Sequence, residues 1–145
     1  MLMHLSALRL AVFSALLLAA APAGAQPDMS APQALEALKQ GKVLVIDLRT
    51  PQEWRETGVI PGAGRVDFYR GPWPVLQKIL EMTGGDKNVA VALICASGSR
   101  SGEAQRFLQK QGFTQVYNVR EGMEGSASGP GWLKRRLPVE PCTRC

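Results

Sequence analysis

Cys95 stands between an apolar run and a segment of small residues, a setting that suits a nucleophilic sulfur. Residues 89–94, Val-Ala-Val-Ala-Leu-Ile, contain no polar side chain, which is typical of a strand buried on both faces of a parallel sheet. Beyond Ser101 apolar residues recur with helical spacing, and we expect an amphipathic helix that ends at Gly112. Cys95 is therefore predicted at the carboxyl end of a strand, in a tight loop that opens a helix, where open α/β sheets bind ligands.

The loop after Cys95 is suited to binding an anion. The candidate binding residues have little side-chain bulk, so their backbone N–H groups can turn inward together: Ala96, Ser97, Gly98, Ser99 and Ser101. The start of the helix adds unpaired N–H groups, and Arg100 adds a full charge with forked donors. Because helix N-termini and cations stabilise a thiolate, we expect Cys95 to be reactive rather than a small buried hydrophobe.

Several other elements are predicted to position this loop. Residues 43–48 and 116–119 have the composition of buried strands, and residues 65–69 are predicted as a short strand. Capping-box spacing predicts helix starts at Ser30 and Thr50, and Pro74 is expected to open a further helix. The last helix is predicted to be short and to dock through Trp132 and Leu133.

Strands that alternate with helices imply parallel pairing through right-handed crossovers. We therefore predict a three-layer α/β domain, with a central, mostly parallel sheet of four or five strands and helices on both faces. Residues 30–139 are expected to form this domain, preceded by a short linker at 26–29 and followed by a tail at 140–145.

Two blocks of this sequence resemble motifs of the rhodanese-like family. Residues 95–101, Cys-Ala-Ser-Gly-Ser-Arg-Ser, resemble its active-site loop, Cys-x-x-Gly-x-Arg-Ser/Thr. Residues 46–54 and 58–63 resemble the family's earlier signature of Asp-x-Arg, Glu-aromatic and His-Ile-Pro-Gly-Ala, except that Val59 stands where the family usually has histidine. Both motifs in this order are a specific signal.

This resemblance implies a sulfurtransferase in which Cys95 carries a persulfide and Arg100 stabilises the leaving anion. The implied partners are a small sulfur donor such as thiosulfate and a thiol or cyanide acceptor, with no metal and no other cofactor. Asp47 and Arg49 are expected to be structural. Met123 falls where the family has a glycine-rich loop beside the active site, and it is predicted either to line the pocket or to fill a gap in the core.

Other functional classes were compared with this interpretation. Cysteine-dependent phosphatases and arsenate reductases have the loop Cys-x-x-x-x-x-Arg, whereas only residues 96–99 separate Cys95 from Arg100. A cysteine hydrolase lacks its usual base, because His4 is the single histidine and lies in a predicted signal peptide. A non-catalytic module that relays persulfide or binds a partner remains an alternative.

Residues 1–25 have the pattern of a cleaved signal peptide. Arg9 precedes an apolar run, and residues 23–25, Ala-Gly-Ala, form a small-residue cleavage site. We therefore expect export to a periplasm, no stable membrane association after cleavage, a monomer, and access to a periplasmic thiol protein. The net charge of +5 is modest and its basic residues are scattered, which does not favour nucleic-acid binding.

The tail contains Cys142 and Cys145 in the spacing Cys-x-x-Cys. A zinc site needs four ligands, and the mature chain would offer only Cys95 as a further thiol. In an oxidising compartment the two tail cysteines are expected to form a local disulfide. The alternative is a redox pair that, when reduced, takes the sulfur from Cys95 and releases sulfide by thiol–disulfide exchange.

Overall fold

The computed structural model describes residues 27–145. The α-helices in that part of the chain are α1 (Ala31–Lys39), α2 (Pro51–Thr57), α3 (Pro72–Met82), α4 (Ser99–Lys110) and α5 (Gly131–Lys134). The strands are β1 (Leu44–Asp47), β2 (Gly64–Arg65), β3 (Val91–Ile94) and β4 (Val116–Asn118). The predicted signal peptide at 1–25 lies outside the described residues.

The strands form one four-stranded sheet in the order β2-β1-β3-β4, and every pair of neighbours is parallel. In the central pair Asp47 of β1 lies opposite Ile94 of β3. The segments that follow these two strands, which contain Arg49 and Cys95, therefore leave the sheet at the same edge. The predicted α/β architecture is confirmed.

Helices cover both faces of the sheet and form a core on each face. The side chains of each strand alternate between these two cores. The core beneath α3 and α4 contains Val91, Leu93 and Cys95 from β3 and its end, together with Ile79 and Leu108. The core beneath α1 and α5 contains Ala92, Ile94, Ala34, Val45 and Trp132. Strand β3 is buried at all four positions, which explains its unbroken apolar sequence.

The first two helices begin where their capping residues predict. Ser30 accepts a hydrogen bond from the Gln33 N–H, and the Gln33 side chain accepts one from the Ser30 N–H. Thr50 and Glu53 make the same reciprocal pair at α2. These bonds satisfy N–H groups that have no partner within the helix.

The prediction for residues 65–69 is wrong in part. The strand covers only Gly64–Arg65, and the chain then turns into a 3₁₀ helix at Phe68–Arg70. The Asp67 side chain accepts a hydrogen bond from the Tyr69 N–H and caps this turn, a local interaction that competes with strand pairing. Helix α3 also begins earlier than predicted, at Pro72 instead of Pro74.

Both ends of the described chain are tied to the domain. The Met29 N–H donates to the Asn118 carbonyl at 3.0 Å, so the segment predicted as a linker pairs with the end of β4. Val59 and Glu140 exchange two backbone hydrogen bonds at 2.8 and 2.9 Å, so the tail is docked as well. Backbone groups near a sheet edge need partners, and these segments supply them.

Candidate active site

Cys95 follows β3 directly and is the first residue of the loop that leads into α4. Its side chain is fully buried, with an exposed fraction of 0 %. The Gly98 N–H donates to Sγ at 3.2 Å, and the Ser101 N–H donates at 3.5 Å. The sulfur therefore sits where backbone donors converge, an arrangement that favours negative charge on sulfur.

Two glycines allow the Cys95 loop to pack against the loop that follows β4. Gly98 has φ +88°, and a Cβ on it would overlap the carbonyl of Arg120. Gly122 has φ +68°, and a Cβ there would overlap the carbonyl of Ala96. The Met123 N–H donates to the Cys95 carbonyl at 2.8 Å and joins the two loops. The loop shape thus depends on a second segment as well as on its own residues.

Ser101 and Asn118 form a hydrogen-bond chain that ends at the sulfur. Asn118 Nδ2 donates to the Gly98 carbonyl at 3.1 Å, which fixes the orientation of the amide. Asn118 Oδ1 then accepts the Ser101 hydroxyl hydrogen at 2.7 Å. Ser101 Oγ lies 3.3 Å from Cys95 Sγ and therefore offers the sulfur a lone pair. The Ser101 hydroxyl oxygen is placed to accept a hydrogen bond from the thiol form of Cys95. The backbone N–H groups of Gly98 and Ser101 are placed to donate to its thiolate form.

Arg100 forms an ion pair with Glu53 of α2. Its two Nη atoms donate to the two carboxylate oxygens of Glu53, at 2.9 and 2.6 Å, and its guanidinium lies over the ring of Tyr69 at 5.5 Å. The hydrogen bonds from Arg100 lower the pKa of Glu53 to about 2, although partial burial opposes this shift. The same pair raises the pKa of Arg100 above its already high value.

Asp47 and Arg49 form a buried ion pair at the end of β1. Arg49 Nη2 lies 2.8 Å from Asp47 Oδ2, and both side chains are almost fully enclosed. Arg49 also donates to the Thr57 hydroxyl and the Gly58 carbonyl, so the pair holds the end of α2 against the sheet. The expected structural role of these two residues is confirmed.

The remaining predicted binding residues differ in their access to the site. Ser97 and Ser99 are exposed and Ala96 is half-buried, so they border the loop on its solvent side. Met123 is fully buried among the core residues beneath α1 and α5. Of its two predicted roles, Met123 therefore fills the core with its side chain, while its backbone contacts the Cys95 loop.

Glu121 is a buried acid that the sequence did not single out. Its carboxylate accepts from the N–H groups of Ala31 and Gly131 and from Arg135 Nε. Burial raises the pKa of Glu121, but these hydrogen bonds and the Arg135 charge outweigh that effect and lower it. Glu121 thereby joins the starts of α1 and α5 beside the loop that supports Cys95.

The tail cysteines form the disulfide Cys142–Cys145, as the local pairing predicted. Arg55 Nη1 donates to the Cys145 carbonyl at 3.2 Å, so the tail lies against α2. The role of this pair in discharging Cys95 stays a prediction.

Within residues 27–145, no helix is long and apolar enough to cross a membrane. In the same range no three His, Cys, Asp or Glu side chains come close enough together to hold a metal ion.

Comparisons with known proteins agree with this geometry. Residues 30–128 match the model of the family described as rhodanese-like domain. A sulfurtransferase from Allochromatium vinosum is 32 % identical over 97 residues, which cover 67 % of this chain and 78 % of that protein. A crystal structure of Rv0390 from M. tuberculosis superposes with a TM-score of 0.65 at 27 % identity, covering 80 % of this chain and 98 % of its own.

A polysulfide-sulfur transferase homodimer from Wolinella succinogenes has the same fold. It superposes with a TM-score of 0.62 at 24 % identity, covering 82 % of this chain and 81 % of its own.

Proposed function

Because this chain belongs to the rhodanese-like family, we propose that it is a sulfurtransferase that works through a persulfide on Cys95. It moves sulfane sulfur from a donor such as thiosulfate to a thiol or cyanide acceptor. The observation that carries the proposal is the position of Cys95 Sγ, which receives N–H groups from both Gly98 and Ser101.

The chemistry is a two-step covalent transfer. The Cys95 thiolate attacks the outer sulfur of the donor, the donor S–S bond breaks, and the donor remnant leaves with the electron pair. An acceptor thiolate or cyanide then attacks the outer sulfur of the persulfide, and Cys95 leaves as a thiolate. Fixed N–H donors around the sulfur stabilise the anionic forms without reorganisation.

The same geometry favours sulfur transfer over phosphoryl transfer. The short loop of residues 96–99 already directs the Gly98 N–H at the Cys95 sulfur. A phosphoryl group needs a wider ring with donors for three oxygens. A module that only binds a partner is disfavoured because the nucleophile and its donors are both present.

We also propose that the protein acts after export, as a monomer in a periplasm, with a thiol protein of that compartment as one acceptor. The support is the composition of residues 1–25 and the pairing of Cys142 with Cys145, since disulfides persist in oxidising compartments.

Turnover assays on purified protein test the activity. We expect thiocyanate to form from thiosulfate and cyanide, and no hydrolysis of an aryl phosphate. Cys95→Ser should abolish the transfer, while its circular dichroism spectrum and unfolding temperature remain close to those of the wild type. Phosphate hydrolysis by the wild type, or transfer that survives in Cys95→Ser, would overturn the proposal.

A further inference from the structure

The one cation of the Cys95 loop is already neutralised by a carboxylate. Arg100 and Glu53 form a two-pronged pair, and their side chains are only 16 % and 23 % exposed. Two charge-assisted bonds in a poorly hydrated position hold the guanidinium firmly. A bound anion therefore meets an ion pair, and little of the Arg100 charge is available to it.

A second guanidinium beside the loop is also matched by an acid. The carbonyl of Arg120 packs against Gly98, which places this residue at the edge of the Cys95 loop. Its side chain, 60 % exposed, lies 3.3 Å from Asp28. Besides Glu53, Arg100 contacts the aromatic ring of Tyr69, which is 71 % exposed.

The charge of the sulfur donor determines how strongly the pairing of Arg100 with Glu53 affects the stabilisation of its leaving group. Thiosulfate is a dianion, and when its outer sulfur is taken it leaves as sulfite, which carries two negative charges. An organic persulfide leaves as a thiolate with one charge. A site whose cation is paired stabilises a departing dianion poorly, whereas backbone N–H groups suffice for a single charge on sulfur.

We propose that Glu53 sets the donor specificity of Cys95, so that organic persulfides of low charge are preferred to thiosulfate. This inference rests on the proposed persulfide chemistry of the same site. In the loading step the Cys95 Sγ–S bond forms and the S–S bond of the persulfide breaks. The donor thiolate leaves with the electron pair and takes a proton from water, and no external oxidant or reductant is needed.

The substitution Glu53→Gln tests the proposal with little change in shape. Glutamine also serves in a capping box, so the start of α2 should persist while Arg100 loses its counter-charge. We expect kcat/KM for thiosulfate to rise about tenfold or more, mainly through a lower KM. We expect kcat/KM for the persulfide of 2-mercaptoethanol to change by less than about threefold.

Two further variants separate specificity from general effects. Glu56→Gln removes an exposed carboxylate from the same helix, and it should leave the ratio of the two donors unchanged. Arg100→Gln added to Glu53→Gln should remove the gain with thiosulfate, because the freed cation is then absent. An unchanged donor ratio in folded Glu53→Gln would overturn the proposal.

A measurement on the wild type keeps the proposal testable if Glu53→Gln fails to fold. Sulfate is a dianion that cannot donate sulfur, and it should not compete with persulfide loading at constant ionic strength. Clear competitive inhibition by sulfate would overturn the inference about Glu53. Failure of the wild type to turn over either donor would instead refute the proposed sulfurtransferase activity.

Discussion

The hydrogen-bond directions around Cys95 are set by Asn118, whose amide is fixed by the Gly98 carbonyl. The Ser101 hydroxyl must then donate to Asn118, so it cannot donate to the sulfur at the same time. The stabilisation of a thiolate or persulfide consequently falls to the two backbone N–H groups. Ser101 is in this respect a positioning residue that keeps a buried amide satisfied.

The substitution Ser101→Ala should therefore affect stability more than chemistry. It leaves Asn118 Oδ1 without its donor in a position that is 4 % exposed, and we expect a loss of about 1–3 kcal/mol in the free energy of unfolding. Sulfur transfer should fall less than about tenfold, because both backbone N–H donors remain. Urea unfolding and turnover measure the two effects, with the exposed Ser99→Ala as control. Unchanged stability would contradict the hydrogen-bond chain.

The substitution Arg100→Ala should affect chemistry as well as stability, because it removes the partner of Glu53. Without the guanidinium, the Glu53 carboxylate faces the loop unpaired and repels anionic donors, so turnover of thiosulfate should fall about tenfold or more. Arg100→Lys should restore part of the rate, since lysine keeps the charge but lacks the fork. Arg106→Ala, an exposed position on the same helix, serves as the control. A normal rate in Arg100→Ala would show that the backbone groups act alone.

At the scale of elements, two loops share the task of shaping the site. The Cys95 loop and the loop after β4 contact each other through their backbones at Gly98 and Gly122. At each of these glycines the opposite loop leaves no room for a Cβ. Backbone carbonyls cannot move aside as a flexible side chain can. A change in the conformation of one loop should therefore require a change in the other.

The substitution Gly98→Ala tests this contact. It adds a backbone overlap to the cost of a positive φ, so we expect a loss of stability above about 2 kcal/mol together with loss of persulfide loading. Gly62→Ala is a matched control, because Gly62 has a similar φ of +80° and nothing within 4 Å of its added Cβ. It should cost only about 1 kcal/mol and leave loading intact. Equal effects of the two variants would contradict the proposed loop contact.

The sequence predicts local features of these elements better than the contacts between them. The strand before Cys95 and the capping boxes at Ser30 and Thr50 depend on residues a few positions apart. The structure has both capping boxes as predicted, and the strand begins two residues later than predicted, at Val91. The pair of Glu53 with Arg100 joins residues 47 positions apart, and only the packing of α2 against the Cys95 loop brings them together. Capping-box spacing therefore predicts the start of α2 at Thr50 but not the pair of Glu53 with Arg100.

The error at 65–69 and the open choice between two roles for Met123 have a related cause. A stretch of five residues is too short for its periodicity to distinguish a strand from a 3₁₀ turn, and the Asp67 cap decides the outcome. Met123 has the right sequence position for the pocket, but the direction of its side chain depends on the core beneath α5. The residues of the tail likewise contain no sequence pattern that predicts its backbone pairing with Val59.

At the scale of the whole molecule, the parallel sheet gathers the site at one edge, and ion pairs join the elements there. Asp47–Arg49 and Glu53–Arg100 tie α2 to the ends of β1 and β3. Glu121 ties α1 to α5 on the other face. Loss of charge on these acids should therefore weaken the contacts between elements as well as the site itself.

Acid should destabilise the protein partly through Glu53. The hydrogen bonds from Arg100 lower the pKa of its carboxyl from 4.5 to about 2, against the opposing effect of burial. A group with a lowered folded pKa contributes stability above its unfolded pKa, and that contribution is lost as the pH falls toward the folded value. The free energy of unfolding should thus fall between pH 4.5 and 2, and it should fall less in Glu53→Gln.

Urea unfolding at several pH values measures this difference. Glu56→Gln, which removes an exposed acid from the same helix, should follow the wild type, because it leaves the Arg100 pair intact. If Glu53→Gln loses stability with pH as steeply as the wild type does, the ion pair does not contribute to acid sensitivity.

The most direct test of the account is the mass of the Cys95 peptide after donor treatment. The protein is incubated with a persulfide or thiosulfate, excess donor is removed, and the digest is analysed without reductant. The account predicts one added sulfur, about 32 Da, on the peptide with Cys95 and its removal by cyanide. Sulfur transfer that proceeds while this peptide keeps its unmodified mass would contradict the account.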